Sequence, residues 1–362
     1  MKKILIDLAL LVGGAILFAI PHPSILFYEG LPFLSYFSVI PLFLLTRRLP
    51  WKTVWLWGLI YGALCYCLYV HWLVDFHPLG MPVIAGLFGI QYIFLFIVLK
   101  AVWVLCGKYG WIAQWIIWCA YEFLKTQGFA GFSYGVTAYS HWQLTTLIQC
   151  TNILGIWGLS AIITFPSAWL SIIIQPIFDI RKTSATKETY KILPHIYAHR
   201  ISAIAWVAVY AVIIIYGLVS PIDYSDYETK TVALIQVNSD PWVGGSVAYR
   251  RDLTTLTKLT DAALAENNAV DFVVWSETAF VPSIRWHYKY REDRVRIDLV
   301  MELLNYIENT GIPFVIGNGD TMVDYNAAGM YERISYNSVF LFRPGENVIP
   351  PNPEIYMQSQ KA

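Results

Sequence analysis

The sequence predicts a polytopic α-helical membrane domain, residues 1–220, followed by an α/β layered domain, residues 229–362. Three observations carry that reading. The 362 residues are 57% apolar and only 14% charged, with 16% aromatics, a composition outside the range of soluble globular domains. Asp75 is the single acid or base between Lys52 and Lys100, and none lies between Lys125 and Asp179. Each stretch that long can supply the roughly 20 apolar residues of a membrane span. From Thr229 onward, polarity is ordinary and short apolar runs alternate with helix-periodic ones. The formal net charge is zero, so no nucleic-acid partner is expected.

Spans are predicted at about residues 4–20, 31–46, 53–74, 82–106, 110–125, 147–176 and 199–219, seven in all. Basic residues then fix their direction. Lys2 and Lys3, then Arg47, Arg48 and Lys52, then Lys108, then Arg181, Lys182, Lys187, Lys191 and Arg200 cluster in alternate loops, which are read as cytoplasmic. Segments 21–30, 75–81 and 126–146 are nearly free of basic residues. An odd number of spans therefore delivers everything after Ser220 to the outer side, and the second domain is predicted to be extracytoplasmic. Lys2-Lys3 and the apolar run to Ile20 read as an uncleaved first span, since further spans follow.

Within the second domain, Val232–Asn238 reads as a buried strand and Tyr249–Asn267 as a helix, with Leu253, Leu256, Thr260 and Leu264 on one face. Phe272–Trp275 is a second strand. Arg294–Asn309 is a helix with Ile297, Val300, Met301 and Leu304 aligned, stopped by Gly311-Ile312-Pro313. Phe314–Gly317 and Ser338–Phe342 are two more strands, the latter closed by Pro344-Gly345. The order β-α-β-α-β-β describes an α/β layered domain.

Candidate residues for chemistry are few. Glu277 ends the apolar strand Val273-Val274-Trp275, and a carboxylate delivered by a buried strand into a turn suits a general base. Taken alone, the same residue also reads as a strand-end carboxylate capping a turn. Glu122 lies near the outer end of the fifth span, one helical turn from Lys125, and an ion pair between them at i, i+3 is the expected reading, with a headgroup contact as the other. Trp242, by itself, reads as a core aromatic. His71, Asp75 and His77 stand at a predicted interface where polar residues are ordinary, so neither a metal nor any cofactor is expected. Cys65, Cys67, Cys106, Cys119 and Cys150 all fall in the apolar half, without zinc-ligand spacing, and read as small buried hydrophobes.

Several segments together resemble a known family. Gln236 and Asn238 on the first strand, Trp242, the run Trp275-Ser276-Glu277-Thr278-Ala279 and the Pro313–Gly317 strand resemble the first half of a nitrilase-like carbon–nitrogen hydrolase (αββα) domain. Joined to a multispan half, that domain is the layout of bacterial apolipoprotein N-acyltransferases. Tyr121–Lys125, Gly128–Ser133, Tyr139-Ser140, Leu147–Gln149 and Gly155–Leu159 are similar to that family's fifth and sixth spans. The resemblance implies an acyltransferase of the inner membrane that moves an acyl chain from a phospholipid to the amino group of a diacylglyceryl-cysteine on an apolipoprotein. It implies a Glu-Lys-Cys triad in which Glu277 is the proton acceptor, and a substrate contact at Trp242; Glu122 stands as a candidate substrate contact only through the headgroup reading above. The family pattern places a catalytic Lys two residues after the tyrosine that Tyr356 matches, with a Cys further on. Here Tyr356-Met357-Gln358 is followed by Ser-Gln-Lys-Ala, so the domain is expected to be incomplete at its C-terminus, before that Lys and Cys. A non-catalytic or lipid-binding member of the family is the alternative; a transporter fits the spans but not the α/β domain.

Overall fold

A computed structural model describes residues 2–128, 131–178, 192–239, 244–325, 330–351 and 354–361. The chain separates into two compact units, Met1–Asp223 and Tyr224–Ala362.

The first unit is helical. Its helices are α1 (Lys2–Ala19), α2 (Ile40–Arg48), α3 (Val54–Tyr69), α4 (Leu73–Phe76), α5 (Gly80–Leu105), α6 (Gly110–Leu124), α7 (Thr145–Ile148), α8 (Thr151–Phe178), α9 (Ile192–Ala198) and α10 (Arg200–Val219). Among the described residues, α5, α8 and α10 are long and apolar enough to cross a membrane. Every predicted span overlaps helix, but three are interrupted; the stretch 53–74 covers α3 and the start of α4, with a turn at residues 70–72 between them. The stretch 31–46 is a 3-10 turn, Pro32–Phe37, followed by α2, because Pro32 and Pro41 each occupy a first helical turn, where a missing N–H costs nothing. The stretch 147–176 divides between α7 and α8, and α8 is itself kinked where Gly155 takes a φ of 64°.

Close helix approach in this unit depends on small residues. A Cβ on Gly58 would lie 2.5 Å from the carbonyl oxygen of Tyr92, and one on Gly62 would lie 2.7 Å from that of Phe88. The Gly58–Gly62 spacing is one helical turn, so both open the same face of α3 to the backbone of α5. Tyr66, one further turn along, stacks on Phe88 with ring centroids 3.6 Å apart.

Several buried charged groups are held by specific partners, which offsets part of the cost of a dry interior. Asp7 of α1 pairs with Arg48 at 2.7 Å. Among the described residues Arg47 pairs with no carboxylate; it donates to Gln114 Oε1, the Ser171 carbonyl and hydroxyl, and Gln175 Oε1 at 2.8–3.1 Å, with its guanidinium over Trp103. Of the cysteines, Cys65 and Cys150 are buried as expected, whereas Cys106 is exposed. It caps the C-terminus of α5, beyond the packed face of that helix.

The second unit holds β1 (Val232–Ile235), α11 (Ser246–Glu266), β2 (Phe272–Trp275), α12 (Ile284–Tyr290), α13 (Arg294–Thr310), β3 (Phe314–Tyr325), β4 (Tyr331–Phe342) and β5 (Glu354–Lys361). The sheet order is β1-β2-β3-β4-β5, with the first three strands parallel and the last two antiparallel to their neighbours. Leu253 and Leu256 of α11 and Leu299, Val300, Leu303, Leu304 and Ile307 of α13 bury one sheet face with Val273, Trp275, Phe314, Ile316, Phe340 and Phe342. The opposite face carries a row in register, Leu234–Val274–Val315–Leu341. Leu234 in that row is 76% exposed.

The predicted elements occur in their predicted order, but α12 and β5 are not among them, β1 ends at Ile235, three residues early, and β3 and β4 are longer than expected. β3 and β4 run eight and seven residues further than their apolar cores, because twelve register pairs, Phe314↔Phe342 to Tyr325↔Tyr331, continue the ladder through polar sequence. A ladder is held by backbone hydrogen bonds and persists where the apolar pattern lapses. β5 pairs with β4 across a register shift between Asn337 and Val339.

The α3/α5 contact gives a direct test. Gly62→Val should push the two helices apart and lower the thermal midpoint of the detergent-solubilised chain, at a cost of about 1–3 kcal/mol typical of overpacking. An unchanged midpoint would mean that the helices do not approach this closely.

Candidate active site

Glu277 is positioned by the strand before it and the strand beside it. Trp275 is buried, donates from Nε1 to Thr260 Oγ1 at 3.1 Å and meets Phe314 edge-on, which fixes the end of β2. The chain then turns, with Ala279 N–H donating to the Ser276 carbonyl at 3.2 Å. Thr278 sits at φ 59°, a left-handed conformation uncommon for a β-branched residue, and its hydroxyl donates to the Glu277 carbonyl at 2.7 Å. Backbone held in so sparsely populated a region occurs most often where a site requires it.

The neighbouring strand supplies the rest of the geometry. A Cβ on Gly317 would lie 2.8 Å from the Glu277 Cα and 3.1 Å from its nitrogen, so only glycine lets the turn lie against β3. Asn318, next in sequence and 1% exposed, holds the loop that follows. Its Nδ2 donates to the Phe280 and Pro282 carbonyls at 2.7 and 3.1 Å, and its Oδ1 accepts from the Ile284 N–H at 3.0 Å. Asp320, also buried, pairs with Arg285 of α12 at 3.0 Å. Burial pushes its carboxyl above the ordinary range, and Arg285 pulls it back. The Glu277 side chain is exposed, and Asn337 Nδ2 of β4 donates to its Oε1 at 2.7 Å. The result is a solvent-facing carboxylate with one oxygen fixed on a rigid turn, an arrangement suited to accepting a proton from an arriving group.

Sequence reasoning located Glu277 but not Asn318 or Asn337. A signal was present: asparagine is depleted in strands, so one inside each of two strands marks a side chain with a hydrogen-bonding task. Trp242 lies outside the described residues.

Glu122 and Lys125 do not pair with each other, contrary to the i, i+3 expectation. Glu122, 1% exposed, accepts through Oε1 from the Thr137 N–H at 2.8 Å and from its hydroxyl at 2.6 Å. Lys125 instead donates to the Tyr66 hydroxyl at 3.2 Å and the Tyr134 carbonyl at 3.4 Å. Both side chains turn from the helix surface toward the segment after Gly131, where they satisfy donors and acceptors that a loop buried among helices would leave unmet. Beside them, a cavity of about 410 Å3 between α5 and α6 is lined by Phe94, Leu95, Val98 and Ile117, with Gln91 and Lys125 among its few polar members.

Comparison with known proteins accounts for both units. Residues 13–169 match the family of apolipoprotein N-acyltransferase N-terminal domains. The chain is 38% identical over 358 residues to apolipoprotein N-acyltransferase 1 of Treponema denticola, covering 97% of this chain and 64% of the relative. It is 39% identical over 352 residues to apolipoprotein N-acyltransferase 1 of Treponema pallidum, with the same coverage of each chain, 97% and 64%. Identity to apolipoprotein N-acyltransferase of Borreliella burgdorferi is 24% over 351 residues, covering 92% of this chain and 60% of the relative. The chain thus spans a little under two thirds of the length of these relatives. Along 97% of its length, then, this chain is similar to apolipoprotein N-acyltransferases, and its helical unit carries the match to the family of their N-terminal domains.

Proposed function

We propose that this protein serves the N-acylation of apolipoproteins, transferring an acyl chain from a phospholipid to the α-amino group of a diacylglyceryl-cysteine, with Glu277 as the proton acceptor. The observation that carries the proposal is the fixed, exposed Glu277 carboxylate at the end of β2, in a chain similar along 97% of its length to a protein of that name. On this reading Glu277 takes the proton of the cysteine thiol that the family pattern places after the position of Tyr356, the thiolate attacks the ester carbonyl of the phospholipid, and a lysophospholipid leaves with the proton returned by Glu277. The acceptor amine then attacks the thioester and regenerates the thiol. Asn337 keeps the carboxylate from rotating away between the two steps. Trp242 is assigned to the substrate path, and Glu122 serves the same path by holding the segment around Thr137 in shape.

The sheet supports a nitrilase-like reading of residues 229–362. An αββα sandwich needs a sheet apolar on both faces, and the row Leu234–Val274–Val315–Leu341 provides the second apolar face. Residues 1–220 are assigned seven membrane spans in a bacterial inner membrane, with the C-terminal unit on the outer side, by the alternation of basic loops.

Two measurements test these assignments. In membranes from cells carrying the gene, transfer of labelled acyl chain from phospholipid to a diacylglyceryl peptide should fall by about 10²–10⁴ on Glu277→Gln, the range expected for loss of a general base. Retention of the full rate would remove Glu277 from the chemistry. A reporter fused after Arg200 should be active only in the cytoplasm, and one fused after Asp226 only outside. The reverse pattern would overturn the orientation.

A further inference from the structure

The β3–β4 hairpin runs on past the rest of its sheet. β5 pairs with β4 no further toward the hairpin end than Tyr336, so Thr321–Tyr325 and Tyr331–Ser335 have only each other as strand partners among the described residues. A two-stranded ribbon by itself is marginal in water. This one is propped at its base by α12, where Arg333 lies over Trp286 at 4.4 Å and Arg285 Nη1 donates to Met322 Sδ at 3.5 Å. Its end is left uncovered: Met330 is 62% exposed and Tyr331 57%.

Three features say what meets that end. The sequence from Tyr325 to Tyr331, Tyr-Asn-Ala-Ala-Gly-Met-Tyr, carries no charge and places two tyrosines opposite each other in register. Tyrosine gathers where an apolar phase borders water. Residues 220–231 join α10 to β1, at most about 43 Å of chain, and α10 is long and apolar enough to cross a membrane. A lipid surface is therefore always within reach of this unit. Size decides against a protein partner, because a stable protein interface takes about 800 Å2 from each side, and a hairpin end with two exposed large side chains offers a fraction of that. An anchor on a tethered domain needs far less, since the tether has already brought it to the surface.

Charge sets the depth. Asp324 and Glu332 occupy directly opposed positions one step from the Tyr325↔Tyr331 pair. Two carboxylates are repelled by an anionic surface and stay out of hydrocarbon, so only the hairpin end enters, and by apolar contact.

We propose that the end of the β3–β4 hairpin enters the interfacial region of the bilayer, with Met330 and Tyr331 as its lipid contacts. β3 runs parallel to β2, and its continuation past Gly317 leaves the sheet at the end where Glu277 stands. Anchored there, the hairpin turns the Glu277 end of the sheet toward lipid. On the acyltransferase reading above, that is the direction from which the acyl donor comes; the lipid contact itself does not rest on that reading.

The test uses the full chain in phosphatidylcholine nanodiscs, with Met330→Cys or Ser335→Cys introduced beside Cys106→Ser and labelled with an environment-sensitive fluorophore. Cys106→Ser alone, treated with the same reagent, is the blank. A nitroxide placed on the lipid chain just below the headgroup should quench the label at position 330 about 3-fold or more above the label at position 335, the mark of an end immersed at the headgroup boundary. Iodide in solution should show the reverse order. Raising the salt from about 50 to about 500 mM should leave the lipid quenching unchanged, since no charge attraction holds the contact. Tyr331→Ser should lower it at position 330 by about 2- to 5-fold as part of the buried apolar area is lost, with an unchanged thermal midpoint showing that the fold is kept. Equal quenching by iodide at both positions overturns the proposal. So does lipid quenching that high salt abolishes, which would make the contact electrostatic. Self-quenching between two chains in one disc without lipid quenching would assign the hairpin end to a second copy and overturn it as well. Lipid quenching without acyl transfer would sink the acyltransferase reading alone; acyl transfer with an iodide-accessible hairpin end would sink this contact alone.

Discussion

The absence of a side chain at Gly317 governs the geometry around Glu277. With no Cβ there, the backbone of Glu277 lies directly against β3, closer than any other residue would permit. Two consequences follow from that contact. Asn318 is brought under the loop and its amide is fully engaged by the Phe280, Pro282 and Ile284 backbone. β4, paired to β3 residue by residue, presents Asn337 to the Glu277 carboxylate. A bulkier residue at 317 would move the turn, and both asparagines would lose their partners together. The strained φ of Thr278 is the local cost of that fit, set against several hydrogen bonds and the burial of Ala279 and Phe280.

The membrane unit is governed by a different constraint, the need to satisfy polar groups where water is scarce. Asp7 is matched by Arg48, Arg47 by three neutral side chains and a carbonyl, Glu122 by Thr137, and Lys125 by Tyr66 and Tyr134. These links tie α1 to α2, α2 to α6 and α8, and the end of α6 to the segment after Gly131. Apolar packing between helices in a bilayer is weakly specific, since lipid tails are as apolar as leucine. Polar contacts of this kind then select which helices become neighbours, and the Gly58–Gly62 face sets how closely two of them approach.

Glu122 and Lys125 show where local sequence logic gives way. At i, i+3 on an isolated helix an ion pair is the natural expectation. The fold offers each residue something better: a threonine that donates twice to one carboxylate oxygen, and a tyrosine hydroxyl and a carbonyl for the ammonium. Both offers come from residues that the helix itself does not contain. The hairpin differs in the same way. Its outer half carries polar residues that read as loop, and it becomes strand because each residue has a backbone partner across the ladder.

The sequence by itself determined the division into an apolar helical half and an α/β half, the order of four strands and two helices in the second though not the presence of α12 and β5, and the strand-end position of Glu277. These are matters of composition and periodicity, and they express how each short segment partitions among lipid, core and water. Only the tertiary structure decided which polar side chains meet. Glu277 and Asn337 are 60 residues apart, Trp275 and Thr260 are 15, and Lys125 and Tyr66 are 59. No local pattern encodes such pairings, because each is fixed by the close approach of two backbones, and at Gly317 and Gly62 that approach requires a missing side chain.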